Sequence, residues 1–134
     1  GQLLLLFENG KAARFSMESF ETKTNRKKLI NAYSDKSPLK SVTVLTGEID
    51  MAAVSDEGRA IVFNTSLLQP KTSRTTQGVG CMTLKGRHTL DRAMPLSETA
   101  IKNVPRYRVR SLPASGALLK EEDRGEKQLS LIEE

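Results

Sequence analysis

Glu8-Asn9-Gly10-Lys11-Ala12-Ala13-Arg14-Phe15 and Asp56-Glu57-Gly58-Arg59-Ala60-Ile61-Val62-Phe63 are the stretches whose comparison decides how this chain is organised. Laying Gly10 on Gly58, an offset of 48 residues, puts Lys11 on Arg59, Ala12 on Ala60 and Phe15 on Phe63. The match runs on without a gap, with Lys23 on Lys71, Thr24 on Thr72, Asn25 on Ser73 and Arg26 on Arg74. Self-similarity at a fixed period marks a repeat architecture, in which each unit buries its apolar face against a neighbour.

Each unit reads as four short strands. In the first, Leu3–Phe7 meets Asn9-Gly10, the strongest short hairpin signal, because primed turns need positive φ at both central residues. Ala12–Phe15 returns, a polar loop from Thr22 to Lys28 leads to Leu29–Tyr33, and Ser34-Asp35-Lys36-Ser37-Pro38 turns the chain into Ser41–Leu45. The second unit repeats the plan with Met51–Val54, Ala60–Phe63, Val79–Leu84 and Thr89–Ala93. Ser16–Glu21 and Asn64–Leu68 have room for one helical turn each. Tyr107–Leu112 alternates apolar and polar between Pro105 and Pro113, the pattern of an extra strand. The expected class is all-β, in propeller-like blades of four antiparallel strands. The expected segments are 1–48 (first blade), 49–95 (second blade), 96–117 (extra strand) and 118–134 (a solvated, mobile acidic tail).

Composition agrees with a short run of blades. At 134 residues and 37% hydrophobic, the chain has a thin core for a single globule. Its longest apolar run, Leu3–Phe7, is far short of the ~20 residues of a membrane span and lacks the flanks of a signal peptide. Gly1 in first position is expected of a piece cut from a longer protein. Blades with open sheet edges invite pairing with another chain, so a strand-exchanged homodimer is expected.

Charge is unevenly placed. The whole chain carries +5, but residues 1–117 are near +8 and residues 118–134 near −3. The first loop holds Lys23, Arg26, Lys27 and Lys28 and the second Lys71 and Arg74, each as Lys-Thr-x-Arg with no acid between. Equivalent loops on stacked blades fall on one rim, and a cationic stripe with Thr and Ser hydroxyls suits phosphate oxygens. Lys85 and Arg87, in a later turn, extend the stripe. With no recognition helix and no aromatic platform, duplex DNA held by its backbone is the expected partner. The other reading is a protein-interaction blade pair whose basic loops meet an acidic partner.

Catalytic chemistry is sparse. Cys81 is the sole cysteine and reads as a small buried hydrophobe, and His88 reads as an exposed turn residue. These two cannot form a Cys/His zinc site, so no metal and no cofactor are expected. Gly78-x-Gly80 reads as a bend rather than a phosphate cradle. Glu48 with Asp50 and Asp56 with Glu57 are expected to be exposed and untuned, and Tyr33 and Tyr107 lack a neighbouring base in the sequence.

The doubled strand–hairpin–strand signature resembles the blades of the C-terminal domain of bacterial type II DNA topoisomerase A subunits. Arg74-Thr75-Thr76-Gln77-Gly78-Val79 is similar to that family's Arg-x-x-x-Gly-Val segment, and Met82–Leu90 to the hairpin after it. The resemblance covers roughly residues 2–95. It implies a β-pinwheel, whose blades exchange a strand with their neighbours and whose basic rim binds and bends duplex DNA. It also implies, as partners, the rest of the A subunit and an ATPase B subunit, and a cytoplasmic, nucleoid-associated location. The catalytic tyrosine and ATPase would lie outside this chain. The Gln-Arg-Arg-Gly-Gly-x-Gly box of gyrase does not occur in these residues, which leans towards topoisomerase IV unless the box lies in a blade outside them. Such rings have five or six blades, so two blades imply either a piece of a ring or a naturally short domain.

Overall fold

Two hairpins and the strands added to their edges build the molecule. The structure, a computed structural model, describes residues 1–16, 37–68 and 78–124. Its strands are β1 (Gln2–Phe7), β2 (Lys11–Ser16), β3 (Leu39–Leu45), β4 (Asp50–Ser55), β5 (Arg59–Asn64), β6 (Val79–Gly80), β7 (Leu90–Pro95) and β8 (Ala117–Leu118). They form two antiparallel four-stranded sheets, ordered β3-β1-β2-β6 and β7-β4-β5-β8. The repeat is kept in register: Leu3 faces Phe15 as Met51 faces Phe63, and the same irregularity falls between Leu6 and Phe7 as between Val54 and Ser55. The expected strand Leu29–Tyr33 lies outside the described residues.

The hairpin turns differ from the primed type. Among the described residues no non-glycine residue has positive φ, while Gly10 and Gly58 sit at +85° and +88°. Gly10 N–H donates to Phe7 O at 2.9 Å and Gly58 N–H to Ser55 O at 3.0 Å. Each hairpin is thus a tight turn closed by a left-handed glycine, the longer loop that also matches strand twist.

Strand assignment departs from the sequence reading in two places. Of the expected Val79–Leu84, only Val79–Gly80 is a strand, and it joins the first sheet, pairing with Ala12 and Lys11. Each sheet thus takes its fourth strand from the segment that follows it, β6 in the first and β8 in the second. The expected strand Tyr107–Leu112 is instead a helical turn α1 (Val104–Tyr107), followed by a strap with a single bridge from Arg108 to Val62. Pro105 favours the first turn of a helix, and the neighbouring half of the β5 edge is already held by β8. The alternation remains because Val109 packs inward while Arg108 and Arg110 face out.

The sheets stack face to face. Leu4, Leu6 and Ala12 of the first meet Met51, Ala53, Ile61 and Phe63 of the second, with Cys81 and Leu90 sealing the seam. The continuous apolar run of β1 is explained by burial on both faces, since Leu5 and Phe7 pack with Ala13 and Phe15 on the far side. Phe7, Phe15 and Phe63 are core residues. β3 is an edge strand whose Val42 and Val44 are 53% and 59% exposed.

The far face of the second sheet is covered by residues 96–124, through Leu96, Ile101, Val104, Tyr107 and Leu119. Residues 118–124 therefore pack rather than trail in solvent; residues 125–134 lie outside the described set. One carboxylate ties this cap. Asp123, 3% exposed, accepts from Lys102 N at 2.6 Å, Asn103 N at 3.1 Å and the Tyr107 hydroxyl at 2.6 Å. Burial pushes its carboxyl up, but these hydrogen bonds outweigh it and hold the group below the ordinary Asp value. Burial, then the hydrogen bond to Asp123, raise the Tyr107 hydroxyl. The folded state thus binds fewer protons than the unfolded chain near pH 4. The stabilisation is complete above the ~3.9 of a free Asp and is lost as pH falls through the lower folded-state value. Asp123→Asn is expected to cost about 2 kcal/mol at pH 7, since the hydroxyl and two amides lose a charged acceptor. Urea titrations at pH 7 and pH 3 should show the difference from wild type shrinking at the lower pH. An equal difference at both would refute this account.

Candidate nucleic-acid interface

Six of the eight cations expected to meet phosphate, Lys23, Arg26, Lys27, Lys28, Lys71 and Arg74, lie outside the described residues. Lys85 and Arg87 are described, and both are exposed. They flank Gly86, whose φ of +59° makes the reversal, and His88 N–H closes the turn onto Lys85 O at 3.1 Å.

Asp56 pins this turn to the second hairpin. Its Oδ1 accepts from Thr89 N at 3.2 Å and lies 2.9 Å from His88 Nδ1, while Thr89 Oγ1 donates to Oδ2 at 3.4 Å. On the other side Leu90 N–H donates to Glu8 O at 2.8 Å in the first hairpin. Burial raises the Asp56 carboxyl, but the Thr89 and His88 contacts win and lower it. So Asp56, Glu48 and Asp50 are shifted, against the sequence expectation. Glu48 is lowered first by the Thr65 hydroxyl, and Asp50 first by the Arg108 guanidinium. Hydrogen bonding does this without deep burial.

At the hairpin end of the sheets, Lys11, Lys85 and Arg87 form no ion pair among the described residues, whereas Lys40 pairs with Glu8 and Arg59 with Glu57. An ammonium and a guanidinium on a hydrogen-bonded turn, with no partner among the described residues, are suited to external anions. The adjoining cleft of about 720 Å³ is a poorer candidate, since Asp56, Glu57, Asp91 and Glu121 outnumber Arg92 and Arg124 there. Cys81 is enclosed, and burial pushes its thiol up to about 12, so it is not a nucleophile. Gly78, at φ +84°, bends the chain against Ala12 O, as its reading required.

No family model and no curated protein matches the sequence. Solved structures do. The structure of a DNA gyrase A C-terminal domain superposes with TM-score 0.66 at 22% identity, over 92% of this chain and 46% of that one. The C-terminal domain of DNA topoisomerase IV superposes with TM-score 0.68 at 13% identity, over 90% of this chain and 43% of that one. The chain has the fold of these C-terminal domains. It is a β-pinwheel that spans less than half the length of either.

Within this pinwheel the sequence reading passed over Arg14. It is 6% exposed and stands where the second unit has Val62. Its Nη1 donates to Thr65 O at 2.7 Å and Leu68 O at 2.9 Å, its Nε to Gln2 Oε1 at 2.6 Å, and its Nη2 meets Glu48 Oε1 at 2.9 Å. Arg14 thereby binds the first blade to the 3₁₀ turn Thr65–Leu67 of the second. A charged residue inside an otherwise apolar matched position was the available signal.

Proposed function

We infer that this pinwheel is a duplex-DNA-binding domain of a type II topoisomerase A subunit, gripping phosphates rather than bases. The observation that carries the reading is the cationic turn Lys85-Gly86-Arg87, exposed, fixed by Asp56, and set on the fold of gyrase A and topoisomerase IV C-terminal domains. The loops with Lys23, Arg26, Lys27, Lys28, Lys71 and Arg74 support it by composition. In this reading the rest of the A subunit and an ATPase B subunit are its partners. The domain bends DNA for ATP-dependent supercoil change and decatenation in the cytoplasm, at the nucleoid.

Fluorescence anisotropy on a labelled duplex, between about 50 and 200 mM salt, tests this. Binding should fall steeply with salt and vary little between AT-rich and GC-rich duplexes. Lys85→Ala with Arg87→Ala should lower the log–log salt slope by about 1.8, at ~0.9 per phosphate contact. A wild-type chain without affinity at about 50 mM salt overturns the reading. Binding to polyglutamate in place of duplex would favour an acidic protein partner.

A further inference from the structure

The C-terminal cap carries a cationic surface that lies outside the repeat. From Thr99 to Lys120 there are five Lys and Arg and no Asp or Glu. Three of them, Arg106, Arg108 and Arg110, lie along one edge of the second sheet. β8 covers that edge beside Arg59 and Ala60, and the strap covers it beside Val62, where Arg108 bridges and Val109 N–H donates to Val62 O at 2.9 Å. Val109 is drawn into the seam between the sheets, so the flanking Arg108 and Arg110 are turned to solvent.

The arginines are partly organised in advance. Arg106 spends Nε and Nη2 on Leu118 O, at 3.3 and 3.0 Å, and its guanidinium lies 5.6 Å from the centre of the Tyr107 ring, which together orient its fork on an exposed side chain. Arg108 meets Asp50 through two contacts, Nη1 to Oδ1 at 3.3 Å and Nη2 to Oδ2 at 3.0 Å, but with Arg108 exposed and Asp50 about one-third exposed the pair is screened by solvent and open to competition from a phosphate. Arg110 has no ion pair or hydrogen bond of its side chain among the described residues. Three guanidiniums on a hydrogen-bonded edge, without a carboxylate in their own segment, fit a run of phosphates better than a single anion.

We propose that the Arg106–Arg108–Arg110 edge is a second contact surface for duplex DNA backbone, separate from the Lys85–Arg87 turn. This rests on the DNA-binding reading above and names where else the duplex is held. The strap crosses from β5 to the first sheet, where Pro113 packs on Gly80, so DNA on this edge spans both blades and their cap.

The test uses the full chain and a labelled duplex of about 40 base pairs. Arg110→Ala is decisive because the side chain supports nothing in the described fold. It should lower the salt slope by about 0.9 and the affinity near 100 mM salt by about tenfold, with an unchanged Tm. Arg110→Lys should keep most of the affinity, since a phosphate contact needs the charge. The triple Arg106→Ala, Arg108→Ala, Arg110→Ala variant should lose about 2.7 in slope. Wild-type slope and affinity in Arg110→Ala and in a folded triple variant, alongside weakening in Lys85→Ala, would overturn this proposal alone. No binding by the wild-type chain would overturn the DNA reading and this surface with it.

Discussion

Gly10→Ala is expected to destabilise the domain by about 3 kcal/mol or more, whereas Gly58→Ala, its partner in the repeat, is expected to cost only about 1–2 kcal/mol. Both glycines have left-handed φ, +85° and +88°, so both substitutions meet the same backbone penalty. The surroundings separate them. A Cβ on Gly10 would run into the Met82 carbonyl oxygen and lie 3.2 Å from a Leu84 methyl, while one on Gly58 would meet nothing within 4 Å. Met82 cannot yield cheaply, because the amides of Cys81 and Met82 both donate to Gly10 O at 2.9 Å. Moving it unseats β6 from the first sheet. Thermal melts should show a drop of roughly 10 °C or more for Gly10→Ala and less than half of that for Gly58→Ala. Equal drops would show that the exchanged strand does not press on the hairpin.

Arg14→Ala is expected to cost about 3 kcal/mol. The Glu48 ion pair contributes little of this, since that carboxylate is half exposed. The loss comes from the carbonyls of Thr65 and Leu68, each left without its charged donor. Arg14→Met, which restores volume but no donor, should recover no more than about 1 kcal/mol. Glu48→Gln should cost at most about 0.5 kcal/mol. Urea denaturation gives these values, and hydrogen exchange at Leu68 should rise in Arg14→Ala before other seam amides. A mild Arg14→Ala with a costly Glu48→Gln would reverse the assignment.

Much of the plan was legible because it is local. Asn9-Gly10 and Glu57-Gly58 mark hairpins through the φ that glycine permits, and they do end β1 and β4. The apolar character of Leu3–Phe7 and Ala60–Phe63 follows from burial on both sheet faces. Cys81 was readable as core because it stands in an apolar run. The third unit was not readable at the repeat's own spacing. Gly78 and Gly116 play one role, at φ +84° and +79°, each turning its chain against the carbonyl of Ala12 or Ala60. They are 38 residues apart instead of 48, so the fixed offset from Gly58 lands on Arg106 and finds no match. Of the proposed interface, the basic turn at Lys85 and Arg87 is legible in composition, whereas the proposed Arg106–Arg110 edge is hidden because its alternation imitates a strand.

The amino-acid order alone settles the strand-and-hairpin units, their 48-residue period and the sign of their charge, since these depend on φ preference, alternation and residue type within a few positions. The fold in three dimensions settles which sheet receives β6 and β8, why Gly10 is costlier to replace than Gly58, and that Arg14 is held between the two blades. Two-residue strands carry too short a pattern to specify a partner. Their place is set by backbone amides and carbonyls, which are alike at every residue, and by contacts across long stretches of chain.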